Sequence, residues 1–274
     1  MARQPSHSSP TLIATCTVSF EGFGECNGVH SRLNLLRRSA ARAAKGGVQL
    51  ACFPGGYLFC RTDMEVLKLR KQLEHVSKDL GVTIAVGVDR AKKSIKNAED
   101  KDTLEKRLTK LIRTYQLPWF AVCAYPDGAS DLWRQRSINS KNQHDAPTAC
   151  CSEFRGVRGM SPQTEILMCG EIFNARIRAE IISRGTQLVI DLGHYAHGFR
   201  VHAAMKVLAS QGVTSLCSVH ADKVNATKYC YVPNSKGYTA RSTIRSDFTI
   251  GRRPRVEMKV WNLGIFHRSA GGGP

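Results

Sequence analysis

The strongest constraint on the fold is an alternation along the chain. Short runs that are apolar on both faces take turns with segments of helical periodicity. The runs are TLIATCTVSF (11–20), VQLACFP (48–54), VTIAVGV (82–88), TEILMCG (164–170), TQLVIDLG (186–193) and VTSLCSVHA (213–221). Between them lie HSRLNLLRRSAARAAKGG (30–47), DMEVLKLRKQLEHVSKDLG (63–81), NARIRAEIISRG (174–185) and RVHAAMKVLASQG (200–212). In the first of these, Leu33, Leu36, Ala40 and Ala43 share one helical face, and Arg37, Arg38, Arg42 and Lys45 lie away from it. Gly46–Gly47, Gly81 and Gly185 stop their helices, and Asn174 is placed to cap one. Strands without a polar face must be covered by helices. The expected class is therefore α/β with layered sheets.

Other stretches fill in the organisation. LPWFAVCAYPDG (117–128) reads as a strand entering a Pro-Asp-Gly turn, with DLWRQRSIN (131–139) as its partner. RAKKSIKNAEDKDTLEKRLTKLIR (90–113) is highly charged, with Leu104, Leu108 and Leu111 or Ile112 at helical spacing, and reads as an exposed excursion over 90–115. Residues 140–151 read as polar loop and 222–255 as turn-rich connection, before a last strand, VEMKVWNLG (256–264). One domain over 11–266 is expected, with flexible ends at 1–10 and 267–274.

The formal net charge is +18, which favours acidic partners or an unusually basic solvated surface. The bases are scattered and no basic tract is interleaved with aromatics, so nucleic acid is not the favoured partner. Ten cysteines show no CxxC pair and sit mostly in apolar runs, which suits reduced core thiols. No run approaches the ~18 apolar residues of a membrane span, and the N-terminus lacks a secretory apolar core. A soluble cytoplasmic protein is expected. His194, His197 and His202 are close in sequence, but their spacing brings no fourth ligand, and no metal is assigned.

Chemistry concentrates at TEILMCGEIFNARIRAEIISRG (164–185). A thiol at the end of a strand and ahead of a helix is presented outward and gains thiolate character. The competing reading is a buried core cysteine. The order of motifs weighs for the first. HSRLNLLRRSAARAAKGGVQLACFPGGYL, GVTIAVGV, LPWFAVCAYPDGASDLWRQR, MCGEIFNARIRAEIISRGTQLVIDLG and RVHAAMKVLASQGVTSLCSVHAD follow one another as do the segments of the nitrilase, or carbon–nitrogen hydrolase, superfamily, which the chain resembles over nearly its whole length. The resemblance implies a four-layer α-β-β-α sandwich, a homodimer, no cofactor, and cleavage of a small amide or nitrile. In that family cysteine attacks carbon, a glutamate acts as general base and a lysine stabilises the oxyanion.

Carried across position by position, only the cysteine survives. Cys169 takes its place and Glu171 fits the acid two residues later. Where the family has glutamate after Phe-Pro, this chain has Gly55 and Gly56. Where it has lysine, this chain has Gln135 or Arg136, and arginine cannot exchange a proton at ordinary pH. Lys141 is a nearby substitute, and Glu153 is a loose match to the family's second glutamate. His194 is the alternative base, and His194, Tyr195, Tyr57 and Glu171 are the expected pocket residues. Three readings follow. The first is a pseudoenzyme or strongly altered enzyme with a degenerate triad. The second is an active thiol hydrolase with Cys169 as nucleophile, Glu153 or His194 as base, and Arg136 or Lys141 as oxyanion donor. The third is a basic binding module on the same scaffold.

Overall fold

The structure is a computed structural model and describes residues 11–19, 29–90, 117–137, 152–194, 199–221, 230–234, 237–240, 245–250 and 255–263. The charged excursion beyond Arg90 and the 140–151 loop lie outside these residues, as do Lys141, Tyr195, His197 and both chain ends.

Two sheets separate at one strand. β1 (Leu12–Ser19) pairs antiparallel with β12 (Val256–Asn262) along one edge. Its other edge is shared. Ile13–Thr15 pair in parallel with β2 (Leu50–Cys60), and Thr17–Ser19 pair in parallel with β8 (Thr214–Ala221). The Ser218 hydroxyl sits where the sheets part, 2.9 Å from the carbonyl oxygens of both Cys16 and Cys52. The first sheet continues from β2 through β3 (Thr83–Arg90), β4 (Trp119–Ala124) and β5 (Ser130–Arg134). The second holds β6 (Thr164–Met168), β7 (Leu188–Leu192), β8, β9 (Cys230–Asn234) and β10 (Gly237–Ala240). β11 (Arg245–Ile250) pairs with β12. The segment read as turn-rich thus carries three strands, each too short to give a clear period-2 signal.

Helices α1 (Val29–Lys45) and α2 (Asp63–Leu80) cover the first sheet; α3 (Ala175–Ser183) and α4 (Phe199–Ser210) cover the second. The result is the four-layer α-β-β-α sandwich. It explains why the strands look apolar throughout. Ala14, Cys16 and Val18 of β1 face α1 and α2, while Ile13 faces the inner layer with Leu50, Ile166, Ile190 and Trp261. Leu167 and Val189 face α3 and α4 together with Ile177, Met205 and Leu208. Thr62 caps α2 by accepting from the Glu65 N–H, and Gly81 ends it in the left-handed region.

The inner layer changes character along its length. Toward the carboxyl ends of β1 and β8 it turns polar: Thr15, Thr17, Ser218, His220, Glu257 and Lys259 are all buried. Alternation places them on the same faces as Ile13, Leu216 and Trp261.

β2 runs further than the apolar pattern indicates, because it bulges. Its register with β3 shifts between Phe53 and Leu58, and Gly56 has φ 65°. At the bulge the two backbones nearly touch. A Cβ on Gly87 would stand 2.3 Å from the Gly55 Cα and 2.6 Å from the Pro54 oxygen. Both obstacles are backbone and cannot swing aside. Gly87→Ala is therefore expected to cost about 2–3 kcal/mol, at the upper end of ordinary overpacking. An unchanged midpoint in chemical denaturation would refute this close approach.

Candidate active site

β6 ends at Met168, and the chain turns at once into a single 3₁₀ turn over Cys169–Phe173 before Asn174 caps α3 through Arg176 and Ile177. Cys169 occupies the bend with φ 35°. No other described non-glycine residue has a positive φ, and such backbone persists only where its surroundings impose it. The sulfur-bearing residue is buried, at 8% exposure.

What imposes the bend is Glu171. Its carboxylate is fully buried and surrounded by donors. The Arg136 backbone N–H gives 2.6 Å to Oε1, and the Arg136 guanidinium gives 3.2 Å to Oε1 and 3.3 Å to Oε2. Arg155 Nη1 reaches both oxygens at 3.0 and 3.1 Å, and the Met168 N–H donates at 3.2 Å. Burial alone would raise this carboxyl, but Arg136 and then Arg155 outweigh it and hold it below the usual range. The carboxylate thus ties the end of β6 to the segment after β5 and to Arg155.

Opposite the cysteine stands His194, just beyond β7. Its Nε2 lies 2.8 Å from Asp89 Oδ1, and its ring hydrogen-bonds the Cys169 thiol. Burial pulls the imidazole down, yet the Asp89 carboxylate beside it and the Cys169 thiol raise it well above its usual value. The ring lies edge-on to Trp119, 6.0 Å between centroids. It also lies against the bulge. A Cβ on Gly55 would be 2.9 Å from His194 Nδ1, and one on Gly56 would be 2.9 Å from Asp89 Oδ2. The imidazole thus fills the space into which a side chain at position 55 would project.

Two further buried groups complete the surroundings. His220 hydrogen-bonds the backbone of Gly55, and burial and the neighbouring His194 push it down to about 3, so it is neutral. On β7, Asp191 lies 3.6 Å from the Cys217 thiol; burial and then the nearby Cys169 push its carboxyl well above the normal range.

No family model matches the sequence. No curated protein matches it either. Solved structures do. An amidase from Nesterenkonia sp. AN1, in a glutamate-to-glutamine mutant that shows acrylamide added to its active-site cysteine, aligns at TM-score 0.55 with 14% identity, over 91% of this chain and 92% of that one. A double mutant in complex with acrylamide aligns at 0.56 with 15% identity, over 97% and 96%. A cysteine-to-alanine mutant, described as from the nitrilase superfamily, aligns at 0.57 with 14% identity, over 94% and 93%. The fold is that of the nitrilase-superfamily amidases.

On this fold the residues picked out from sequence fall into two groups. Cys169 and His194 meet. Arg136, Glu153 and Glu171 meet elsewhere, in the network beneath the bend: Arg136 Nη1 donates 2.9 Å to the Glu153 carbonyl, and the Glu153 carboxylate pairs with Arg155 at 2.8 Å. Glu171, expected to line the pocket, is enclosed by its six donor contacts. Gln135 is buried and donates to the Ser137 carbonyl. Tyr57 is buried in the outer core against Phe53, on the helix side of the first sheet rather than on its inner face. His202 is engaged by the Tyr231 hydroxyl at 2.9 Å. Among the described residues no group of three or more His, Cys, Asp or Glu side chains could hold a metal, and no helix is long and apolar enough to cross a membrane. A cavity of about 690 Å³ opens at the amino ends of β2 and β3, lined by Gln49, Thr83, Tyr125 and Arg158, and contains none of these groups.

Asp89, Arg155 and His220 were missed in the sequence. Asp89 did leave a trace, as an acid at the carboxyl end of an apolar strand, where α/β sheets place their ligands.

Glu171→Gln is expected to lower stability by ~3–5 kcal/mol, because it strips charge compensation from two buried guanidinium groups. Glu153→Gln, whose side chain is 44% exposed, should cost below ~1 kcal/mol. Equal effects of the two in denaturant unfolding would contradict the network described.

Proposed function

We propose that this chain is a strongly altered thiol hydrolase of the nitrilase fold, cleaving a small amide C–N bond with Cys169 as nucleophile and His194 as its proton partner. The observation that carries the reading is the hydrogen bond between the Cys169 thiol and an imidazole lodged where a side chain at position 55 would stand. The solved amidases lend support: one carries acrylamide on its active-site cysteine, and another is in complex with butyramide.

The steps balance without any added group. The Cys169 sulfur, its proton held on His194, attacks the carbonyl carbon, and the C=O π pair moves to oxygen. When the pair returns, the C–N bond breaks and His194 gives its proton to the departing nitrogen. A thioester and an amine, or ammonia, result. Water then attacks the thioester as His194 takes its proton; the C–S bond breaks, and acid and thiol are released. Nitriles and a homodimeric state follow from the family resemblance, and nucleic acid is not required by any group in this site.

One element argues for slow turnover. Neither residue at the family's lysine place offers a mobile ammonium, and the Arg136 guanidinium is engaged by Glu171. Loss of an oxyanion donor is worth ~10²–10³ in rate. This same observation favours the pseudoenzyme as the second reading.

The two separate in one assay. Purified protein is incubated with acrylamide, butyramide and other small amides, and ammonia is measured. Slow release is expected, abolished in Cys169→Ala and reduced ~10²–10⁴-fold in His194→Gln. No release from any substrate would sustain the pseudoenzyme, and release that survives Cys169→Ala would exclude Cys169 as nucleophile.

A further inference from the structure

We infer that Asp89 is the positioning residue of a Cys169–His194–Asp89 relay, in which an imidazole oriented from β3 stands in for a carboxylate projecting from β2. The inference rests on the reading of Cys169 as nucleophile, and it assigns a role to a residue outside the family's pattern.

The geometry is interlocked. Asp89 is the seventh residue of β3, two positions after Gly87, so strand alternation puts it on the same face as Gly87 and Ala85, toward the inner layer. Its Oδ1 meets His194 Nε2 at 2.8 Å. That contact fixes the ring's orientation and leaves Nδ1 as the nitrogen available to the sulfur. The bulge is what gives both groups room. Side chains at 55 and 56 would run into His194 Nδ1, Asp89 Oδ2 and His194 Cδ2 at 2.9–3.0 Å. Gly87 in turn admits the bulge. Three glycines, one acid and one histidine are therefore mutually dependent.

The charges facing His194 are few. From β3 comes Asp89, and from the bend after β6 comes Cys169. From β8 comes His220, pushed down to about 3, and from β7 comes Asp191, whose carboxyl burial pushes well up. β2 presents only glycines there, and β4 presents Trp119. Asp89 is thus the one carboxylate among the described residues in hydrogen-bond contact with the ring. With it in place, the relay favours the proton on His194 and negative charge on the sulfur.

A simple ion pair that plugs an unused site would look similar in a static structure, so the test must read charge on the sulfur. The measurement is the rate of Cys169 alkylation by iodoacetamide from pH 5 to 10, with Cys169→Ala as the blank. The native protein is expected to react well below pH 7, where an ordinary thiol of pKa ~8.5 is mostly protonated. In Asp89→Asn the rate at pH 6 should fall at least ~10-fold and rejoin the native rate above about pH 9.5, since a protonated thiol loses its reactive form only below its own pKa. A variant profile parallel to the native one, or unchanged from it, would overturn the inference. If Asp89→Asn does not fold, the imidazole ¹⁵N shifts of the native protein decide, with His194→Gln assigning the signal. A neutral His194 at pH 7 would overturn the inference, and a protonated one that titrates only above pH 8 would sustain it. The hydrolase reading fails separately. Low-pH alkylation without amide turnover would leave the relay standing and remove the proposed reaction, and Cys169-dependent turnover with an ordinary thiol profile would do the reverse.

Discussion

The Glu171 carboxylate is the interaction on which the site depends. A charge buried this completely is costly unless it is matched, and here two guanidinium groups and two backbone N–H groups match it. Each partner comes from a different part of the chain. Arg136 follows β5 in the first sheet, Arg155 lies in the stretch that leads to β6, and Met168 ends β6 in the second sheet. Arg155 also donates to the Arg134 carbonyl and to Glu153. One carboxylate therefore fixes the distance between the edges of two sheets, and with it the bend at Cys169. The cost of φ 35° at a cysteine is met by this network.

The second constraint is space. In the expected pattern a carboxylate reaches from β2 toward the sulfur. In this chain β2 has no side chain to offer at 55 or 56, and the bulge presses against Gly87. The vacated volume is filled from the opposite sheet, by His194 beyond β7, and from the neighbouring strand, by Asp89. Restoring a glutamate at position 55 is the repair that the resemblance invites. It would push its Cβ to 2.8 Å from the Leu192 carbonyl and onto the His194 ring. A side chain at position 55 and the His194 imidazole would thus compete for the same volume.

Much of the fold could be read from the chain because each sheet is covered on both faces. β1, β3, β4, β6 and β7 show as mostly apolar runs, and α2 and α3 carry a readable stop at Gly81 and a readable cap at Asn174. The strands within 230–250 could not be read, since each is only four to six residues long and Pro233 interrupts the apolar start of β9. Cys169 was legible as a candidate nucleophile because a strand, a cysteine and a helix lie consecutively. Of its neighbours, His194 was named as the alternative base, but Asp89 was not. Asp89 is 80 residues before Cys169 and His194 is 25 after it, and only the sandwich brings them together. The acids and bases chosen by matching positions, Arg136, Glu153 and Glu171, did prove to be neighbours, but neighbours of each other. Their pairing is set by complementary charge in a buried volume, which position matching does not register.

That pairing bears on what Arg136, one of the two residues at the expected lysine place, can do. An ammonium has a single nitrogen on a flexible stem, whereas a guanidinium presents a rigid fork of donors. Arg136 uses that fork to reach both Glu171 oxygens and the Glu153 carbonyl at once, while its own backbone N–H adds a fourth contact. A lysine could be freed to meet an oxyanion; an arginine so engaged is held in the scaffold. The chain thus gains a more firmly pinned bend at the expense of a mobile cation beside the sulfur. In the relay proposed above, the imidazole of His194, held by Asp89, is the group placed to supply positive charge beside the sulfur.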